Sequence, residues 1–514
     1  QRFSFISGSY CCMDTCNIMK TIVLGPPGTG KTTTMLNKVD EHLKETDPNR
    51  IGYFAFTTKA AYEARDRAME KFNLSEDDLP YFRTLHSLAF RRLGIRKENV
   101  MQPHHYQDLG KKIDFPVDYL EYEEEEGGIF NTKSDYLRIL QLAKLRNISF
   151  EKQYNLKEHT QDVEFHKLRI LSHELERYKK EYGLIDFNDM ILDFIKSDAS
   201  PHFDVVFIDE AQDLSLMQWD MAKSIWNKSG DSYIAGDDDQ AIFRWAGADV
   251  DSFIAQTGKF LHLTESFRVP RKVHDLALRL IGRVSNRLAK TWSPRIAEGS
   301  LTYHPDFDHI NMREGQWLVL ARTKFMLNDL EEVLYRKGLF YKNKFKKSYE
   351  QDLYEAITDW EKLREGASLP YDKVQHVLNY IGPRNLQKEK IFGMVKDGFY
   401  NITQLKKDFG LMTQAVWYEA LDEAPFRRVE YIRKMRSNGE QLSKKPRILL
   451  STIHGVKGGE EQNVVLLSDL SLNTQKGYER NPDDENRLFY VGATRTKQHL
   501  HIVEPKDFYK SYPL

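Results

Sequence analysis

The stretch Gly25-Pro26-Pro27-Gly28-Thr29-Gly30-Lys31-Thr32 constrains this chain more than any other. Before it, Thr21-Ile22-Val23-Leu24 reads as a buried strand; after it, Leu36, Val39 and Leu43 recur at helical spacing. A strand, a glycine-rich turn and a helix in that order predict a phosphate-binding loop at the carboxyl edge of a parallel sheet. The glycines let the backbone curl so that its N–H groups face the phosphates of a nucleotide, at a helix N-terminus that already favours anions. Lys31 then reaches the β- and γ-phosphates. The Thr32 hydroxyl offers an oxygen to Mg²⁺, with Thr33 next to it at the start of the helix.

Far downstream, Val205-Val206-Phe207-Ile208 runs into Asp209-Glu210-Ala211-Gln212-Asp213. An apolar strand ending in paired carboxylates supplies what triphosphate hydrolysis needs. Asp209 holds the Mg²⁺, and Glu210 orients and deprotonates the attacking water. Alone the pattern is weak, because strand ends often carry solvated acids. Paired with a phosphate loop it predicts hydrolysis as well as binding.

At 514 residues the chain has room for about two to four domains. Lys+Arg 75 and Asp+Glu 76 nearly cancel, which excludes a global basic field; any polyanion must be met in a local groove. No apolar run approaches a membrane span, so no membrane partner is expected. Residues 1–18 lack the basic start and long apolar centre of an export signal. Cys11, Cys12 and Cys16 crowd the N-terminus, with no cysteine elsewhere for a disulfide framework or zinc site, which fits a cytoplasmic protein. The first strand follows directly on Met19, so residues 1–18 read as an extension of unknown role.

Strand and helix patterns alternate along the chain, predicting an α/β fold with parallel sheets. Ile51–Phe56 and Ser232–Ala235 read as further strands of the first core. Between them lies a long, mostly helical insertion, Leu93–Ile185. Its last helix aligns Leu168, Leu171, Leu175 and Tyr178 on one face and stops at Gly183. The run Glu121–Glu126, followed by Gly127-Gly128, reads as a solvated loop. A second core begins near Leu263, with strands at Trp317–Ala321, Ile448–Thr452, Val464–Leu467 and Leu500–Val503. The expected division is 19–92 with 186–262 as the first core and 93–185 as its insertion. The second core is 263–345 with 447–514, interrupted by a helical insertion at 346–446.

The remaining short motifs carry a resemblance when taken in order. They are Phe54-Ala55-Phe56-Thr57-Thr58-Lys59-Ala60-Ala61, Thr84-Leu85-His86-Ser87, Asp209-Glu210-Ala211-Gln212-Asp213 and Gly236-Asp237-Asp238-Asp239-Gln240-Ala241-Ile242-Phe243-Arg244-Trp245. They continue as Leu263-Thr264-Glu265-Ser266-Phe267-Arg268, Ser451-Thr452-Ile453-His454-Gly455-Val456-Lys457-Gly458-Gly459-Glu460 and Tyr490-Val491-Gly492-Ala493-Thr494-Arg495. In this order the set resembles the UvrD/PcrA/Rep branch of superfamily 1 DNA helicases, from Lys20 to about Val503. The resemblance implies two RecA-like motor domains, each with a helical insertion, and ATP with Mg²⁺ as cofactors. Gln240 resembles the glutamine that senses the γ-phosphate. Arg268 and Arg495 resemble the two arginines that the second core presents to it, which would act as arginine fingers and draw the cores together around ATP. Phe267 stands where the family stacks an aromatic ring on adenine, and Glu460 where it contacts the ribose.

On the nucleic-acid side, Phe56, Phe243 and Trp245 match positions where the family stacks single-stranded bases. Thr57, His86, Thr452 and His454 belong to motifs that touch the strand. Stacking suits a translocase because every base has a π-face, and it contributes about 1–3 kcal/mol per base regardless of sequence. The spacing of Phe243 and Trp245 predicts both rings on one side of an extended segment. Lys59, Arg65, Arg91 and Arg92 read equally well as phosphate contacts or as solvated surface, and so does the cluster Lys342, Lys344, Lys346, Lys347.

The chain departs from the family pattern in several places. The segment whose glutamine reads adenine in the family has no counterpart near Gln1, which leaves nucleotide selectivity open. Trp245-Ala246-Gly247 replaces the common Trp-Arg-Gly, Glu265-Ser266 replaces the usual pair before the aromatic–arginine step, and Gly459 takes a position usually filled by leucine. The inserts are short, suggesting a compact, monomeric enzyme that draws on an accessory protein for processive unwinding. The expected activity is ATP-driven travel along single-stranded DNA, 3′ to 5′ by resemblance, with unwinding at single-strand/duplex junctions. The alternatives are a translocase that displaces proteins without unwinding, and an RNA-directed helicase, since stacking treats both nucleic acids alike.

Overall fold

Unalternated runs of Val, Ile, Leu and Phe form the central strands in each half of the chain, as strands covered on both faces should. The computed structural model describes residues 20–115, 117, 132, 134–159, 162–343 and 348–514. The extension 1–18 with its cysteines, the run Glu121–Glu126 with Gly127-Gly128, and Lys344, Lys346 and Lys347 lie outside the described residues. Among the described residues no helix is long and apolar enough to cross a membrane.

The first sheet contains β1 (Lys20–Leu24), β2 (Ile51–Ala55), β3 (Phe82–Thr84), β4 (Val205–Asp209), β5 (Asp231–Gly236) and β6 (Lys259–His262). Its order is β3-β2-β4-β5-β1-β6, and every neighbouring pair is parallel. Leu24 pairs with Gly236, and Ala55 with Asp209. The loops leaving β1, β2, β4 and β5 therefore emerge along one edge of the sheet, where an open α/β sheet places its ligands. The helix Lys31–Leu43 seats Met35, Leu36 and Val39 against the sheet, with Leu43 at the margin.

The first insertion has its own apolar core. The helices Pro103–Lys112, Asp135–Leu145 and Phe165–Tyr182 meet through Tyr106, Leu109, Leu137, Leu140, Leu168 and Leu171. Phe165–Tyr182 buries Leu168, Leu171, Leu175 and Tyr178 and ends at Gly183, whose φ of 63° accepts the left-handed turn the spacing predicts. Lys179, almost fully buried, ties this helix to Asp186 at 2.9 Å and Asp189 at 2.5 Å.

The second sheet contains β7 (Ser300–His304), β8 (Trp317–Ala321), β9 (Tyr341–Asn343), β12 (Ile448–Thr452), β13 (Glu461–Leu467) and β14 (Thr496–Val503). Its order is β7-β14-β13-β8-β12-β9, again all parallel. A short antiparallel pair, β10 (Leu369–Pro370) and β11 (Phe399–Tyr400), lies within the second insertion. That insertion shares its core with the sheet: Val319, Leu334 and Ile448 belong to one apolar cluster with Trp360, Leu405 and Met435. The protein is thus α/β, with two RecA-like parallel sheets, each carrying a mainly helical insertion.

Compactness divides the chain at Ala297, with Tyr478–Thr494 joining the first unit and Glu298–Gly477 with Arg495–Leu514 forming the second. Residues 263–297, grouped with the second core in the sequence reading, pack here with the first unit. Their bonds explain this: Ser266 Oγ donates to the Pro27 carbonyl at 2.8 Å, and Phe267 N–H donates to the Gly28 carbonyl at 2.9 Å.

Candidate nucleotide and nucleic-acid sites

The loop after β1 bends back through two left-handed glycines, Gly28 (φ +73°) and Gly30 (φ +79°), and Gly30 caps the helix Lys31–Leu43. Gly25 N–H donates to the Gly236 carbonyl at 3.2 Å, anchoring the start of the loop to the end of β5. Thr29 Oγ1 closes the turn on the Pro26 carbonyl at 2.8 Å, while Thr33 is exposed beside it. Gly25 leaves room for the Lys31 side chain, since a Cβ there would lie 2.1 Å from Lys31 Cγ. Lys31 Nζ donates to the Gly25 carbonyl at 2.8 Å and stands 3.9 Å from Glu210 Oε1. One lysine therefore spans the phosphate loop and the acid that follows β4.

Asp209 is buried and receives three hydrogen bonds: from Thr32 Oγ1 at 3.2 Å, from the Tyr53 hydroxyl at 2.8 Å, and from Glu210 N–H at 2.9 Å. Burial, and then the neighbouring Glu210 charge, push its carboxyl above the usual carboxylate range. Tyr53, enclosed beside it, has its phenol raised well above normal, first by burial and then by the Asp209 charge. The Thr32 hydroxyl and the Asp209 carboxylate are hard oxygen donors brought to one point. They fit Mg²⁺, which takes one or two protein oxygens and completes its shell with phosphates and water. Glu210 holds a left-handed backbone (φ 52°) that a glutamate seldom adopts, and its Oε2 accepts from Gln212 Nε2 at 2.7 Å.

Beyond β5, Gln240 Nε2 donates to Asp237 Oδ2 at 2.7 Å, and Asp237 N–H donates to Gln212 Oε1 at 3.0 Å. Gln212 thereby links the Glu210 carboxylate to the Gln240 segment. Phe267 is 73% exposed, with its backbone bonded to the phosphate loop, and Arg268 follows directly. Arg268, expected from the opposite core, lies in the same compact unit as the loop. Arg495 lies in the second unit and is buried there, its Nη1 donating to the Gly459 carbonyl at 3.4 Å. In the same unit Glu460 pairs with Lys497 at 2.9 Å, and Thr452 Oγ1, at the end of β12, accepts from Gly455 N–H at 3.0 Å. His454 sits in the turn that Thr452 caps.

The aromatic positions divide. Phe243 is 2% exposed and packs its ring against buried Phe56, centroids 5.7 Å apart, whereas Trp245 is 43% exposed. The expectation that Phe243 and Trp245 share one side of an extended segment is corrected: Arg244–Ala246 form a 3₁₀ turn. At about three residues per turn, side chains two apart point apart, so one ring enters the core and the other leaves it. Thr57 caps the helix Thr58–Phe72 by accepting from Ala60 N–H at 3.2 Å. His86 lies edge-on to Phe187, and burial pushes its imidazole down to about 4, so it is neutral at physiological pH. Its neighbour Arg83 is buried. Sequence reasoning missed Tyr53, Gln212 as a link, and Lys290, which reaches Asp237 from 53 residues away.

The UvrD/REP helicase N-terminal domain matches residues 15–260. The chain is 23% identical over 319 residues to the ATP-dependent DNA helicase Rep of Buchnera aphidicola subsp. Acyrthosiphon pisum, covering 54% of this chain and 45% of that protein. It is 25% identical over 357 residues to the ATP-dependent DNA helicase PcrA of Leuconostoc citreum, covering 63% and 45%. To a probable DNA helicase of Mycoplasma pneumoniae it is 24% identical over 420 residues, with 75% of each chain covered. The chain thus spans less than half the length of the first two relatives. The phosphate loop and the acid strand both lie within the residues that match the UvrD/REP helicase N-terminal domain.

Proposed function

We propose that this protein is an ATP-driven motor that moves along single-stranded DNA and unwinds duplex DNA at single-strand/duplex junctions. The observation that carries the reading is the meeting of Lys31, Thr32, Asp209 and Glu210 at one sheet edge. In this reading Lys31 turns from the Gly25 carbonyl to the β- and γ-phosphates, and backbone N–H groups of Gly28 to Thr33 cradle them. Thr32 and Asp209 would hold Mg²⁺, which would supply positive charge to the phosphates. Glu210 orients the attacking water and takes its proton. Gln240 senses the γ-phosphate, and Arg268 and Arg495 offset charge developing on it. Phe267 offers its exposed face to the nucleotide base, and Glu460 contacts the ribose.

For the nucleic acid, exposed Trp245 is the stacking platform, while Phe56 and Phe243 pack against each other in the core. Thr57, His86, Thr452 and His454 line the strand. A neutral His86 donates or accepts a hydrogen bond without competing for phosphate as a cation. Travel runs 3′ to 5′, and the protein acts as a cytoplasmic monomer with an accessory protein for long duplexes. The names of the relatives support an ATP-dependent DNA helicase, and the motif order supports the residue roles.

Steady-state ATP hydrolysis is measured with no polynucleotide, with single-stranded DNA and with single-stranded RNA of the same sequence. Stimulation by DNA alone is the expected result. Equal stimulation by RNA would move the substrate to RNA, and hydrolysis indifferent to both would refute the motor. Release of a bound protein without strand separation would leave a translocase in place of a helicase.

A further inference from the structure

Asp237, Asp238 and Asp239 are consecutive and at most 1% exposed, with carboxylate oxygens within 4.8 Å of one another. Three buried carboxylates this close cannot stay ionised without compensation. The compensation is a lysine. Lys290 Nζ lies 2.6 Å from Asp237 Oδ1 and 3.0 Å from Asp239 Oδ2, and it also bonds Asp238. Arg287 Nε adds a bond to Asp239 Oδ1 at 2.7 Å, and Leu288 N–H adds one to Asp238 Oδ2 at 2.8 Å. The ammonium is held protonated, its attraction to the three acids outweighing burial.

The geometry divides the two oxygens of Asp237. Oδ1 faces Lys290 and also accepts from Asp239 N–H at 3.2 Å; Oδ2 accepts from Gln240 Nε2. The orientation of this carboxylate therefore sets where the Gln240 amide is held, and Lys290 sets the carboxylate. From the helix Pro482–Ala493, Arg487 Nε donates to the Asp238 carbonyl at 2.8 Å and its Nη2 to the Asn286 carbonyl at 2.6 Å. One guanidinium thus fastens the acid segment to the segment that delivers Arg287 and Lys290. That helix ends two residues before Arg495.

We propose that Lys290 is a positioning residue for hydrolysis, fixing Asp237 so that its second oxygen holds Gln240 in register with the γ-phosphate. The inference rests on the reading of Gln240 given above. Because Lys290 acts through Gln240, its loss is felt in turnover and not in nucleotide binding.

The test is DNA-stimulated ATP hydrolysis by the full chain carrying Lys290→Met, Gln240→Ala, and both together. The expected result is a fall in kcat of about tenfold or more for Lys290→Met with KM for ATP within about threefold, since an interaction made only at the reacting stage was lost. Added to Gln240→Ala, Lys290→Met lowers kcat by less than about twofold more, the signature of two residues acting as one. A raised KM at unchanged kcat, or the same fold-loss in both backgrounds, overturns the inference. Lys290→Met removes one of the two cations bonded to the acids, so Lys290→Met/Asp239→Asn, which removes one acid as well and restores the net charge, is measured beside it. A folded double variant with wild-type kcat overturns the inference as well. Absence of hydrolysis in the unaltered protein overturns the nucleotide-site reading too; hydrolysis there with an unimpaired Lys290→Met overturns this inference alone.

Discussion

Gly28→Ala separates two reasons for a glycine in the phosphate loop. The backbone at Gly28 has φ +73°, and a left-handed residue with a Cβ costs about 1–2 kcal/mol. The added methyl would also lie 2.4 Å from Arg268 Cβ, 2.9 Å from Ser266 Oγ and 3.2 Å from the Arg268 nitrogen. Backbone, and not a flexible side-chain tip, must give way, which adds about 1–3 kcal/mol. The two together come to about 2–5 kcal/mol. The strain is relieved only by parting the loop from Ser266–Arg268, which breaks the Ser266-to-Pro27 and Phe267-to-Gly28 bonds of 2.8 and 2.9 Å. Gly183 is the control: φ is +63°, but a Cβ there meets nothing within 4 Å. Titration with a fluorescent ATP analogue, paired with thermal unfolding, reads both. Gly28→Ala is expected to weaken nucleotide binding by about thirtyfold or more, the equivalent of 2 kcal/mol. Gly183→Ala is expected to lose about 1 kcal/mol of stability and bind normally. Gly30→Ala, with its nearest neighbours at 3.9 Å, should fall between them. Binding by Gly28→Ala within about threefold of wild type would refute the claim that this contact shapes the loop.

Other outcomes follow from the same geometry. Lys31→Ala removes the cation between the Gly25 carbonyl and Glu210, and ATP hydrolysis should fall to background in a coupled-enzyme assay. Trp245→Ala should weaken single-stranded DNA binding by about 1–3 kcal/mol in fluorescence anisotropy with little loss of stability. Phe243→Ala, truncating a buried ring, should cost about 3–5 kcal/mol in urea unfolding, and equal stability of the two variants would contradict their different exposures. His86 and His501 both have imidazoles pushed down from 6.5 to about 4 by burial, His501 also by His304 and His499. Their contribution to stability is complete above pH 6.5 and is lost as pH falls toward 4, because there the unfolded chain binds protons the folded chain refuses. His86→Gln and His501→Gln should each flatten that acid limb by on the order of 1–3 kcal/mol in unfolding curves recorded against pH.

What was legible in the sequence had a local pattern. β1 and β4 announce themselves through the buried apolar runs Ile22-Val23-Leu24 and Val205-Val206-Phe207-Ile208, and Lys31, Thr32, Asp209 and Glu210 sit at fixed offsets from them. The edge strands β6 and β7 carry mostly exposed or half-exposed residues, so no hydrophobic run marks them. Tyr53 and Asp209 are separated by 156 residues, and nothing near either one signals the bond between them. At Phe243 and Trp245 the residue types were informative but their geometry was not: alternation presumes extended backbone, and Arg244–Ala246 turns instead. Stacking and core packing favour the same residue types, and only the turn decides which ring does which.

The two acid clusters of the first unit show how charge compensation separates a structural group from a reactive one. Asp237, Asp238 and Asp239 face Lys290 and Arg287 through direct bonds; Asp237 is held below the usual carboxylate range, its attraction to Lys290 overcoming burial, while burial and its acid neighbours push Asp238 up. Asp209 and Glu210 have Lys31 as their nearby lysine, 3.9 Å from Glu210, and Asp209 is pushed above that range. Asp209 is buried and Glu210 partly exposed, and burial with the Glu210 charge makes Asp209 easier to protonate than an ordinary carboxylate. A divalent cation on Asp209 and Thr32 would add positive charge there, whereas the Asp237 cluster already has Lys290 and Arg287 bonded to it. Chemistry is therefore expected at Asp209 and Glu210, while the larger cluster, bonded to Lys290 and Arg287, holds Gln240 through Asp237.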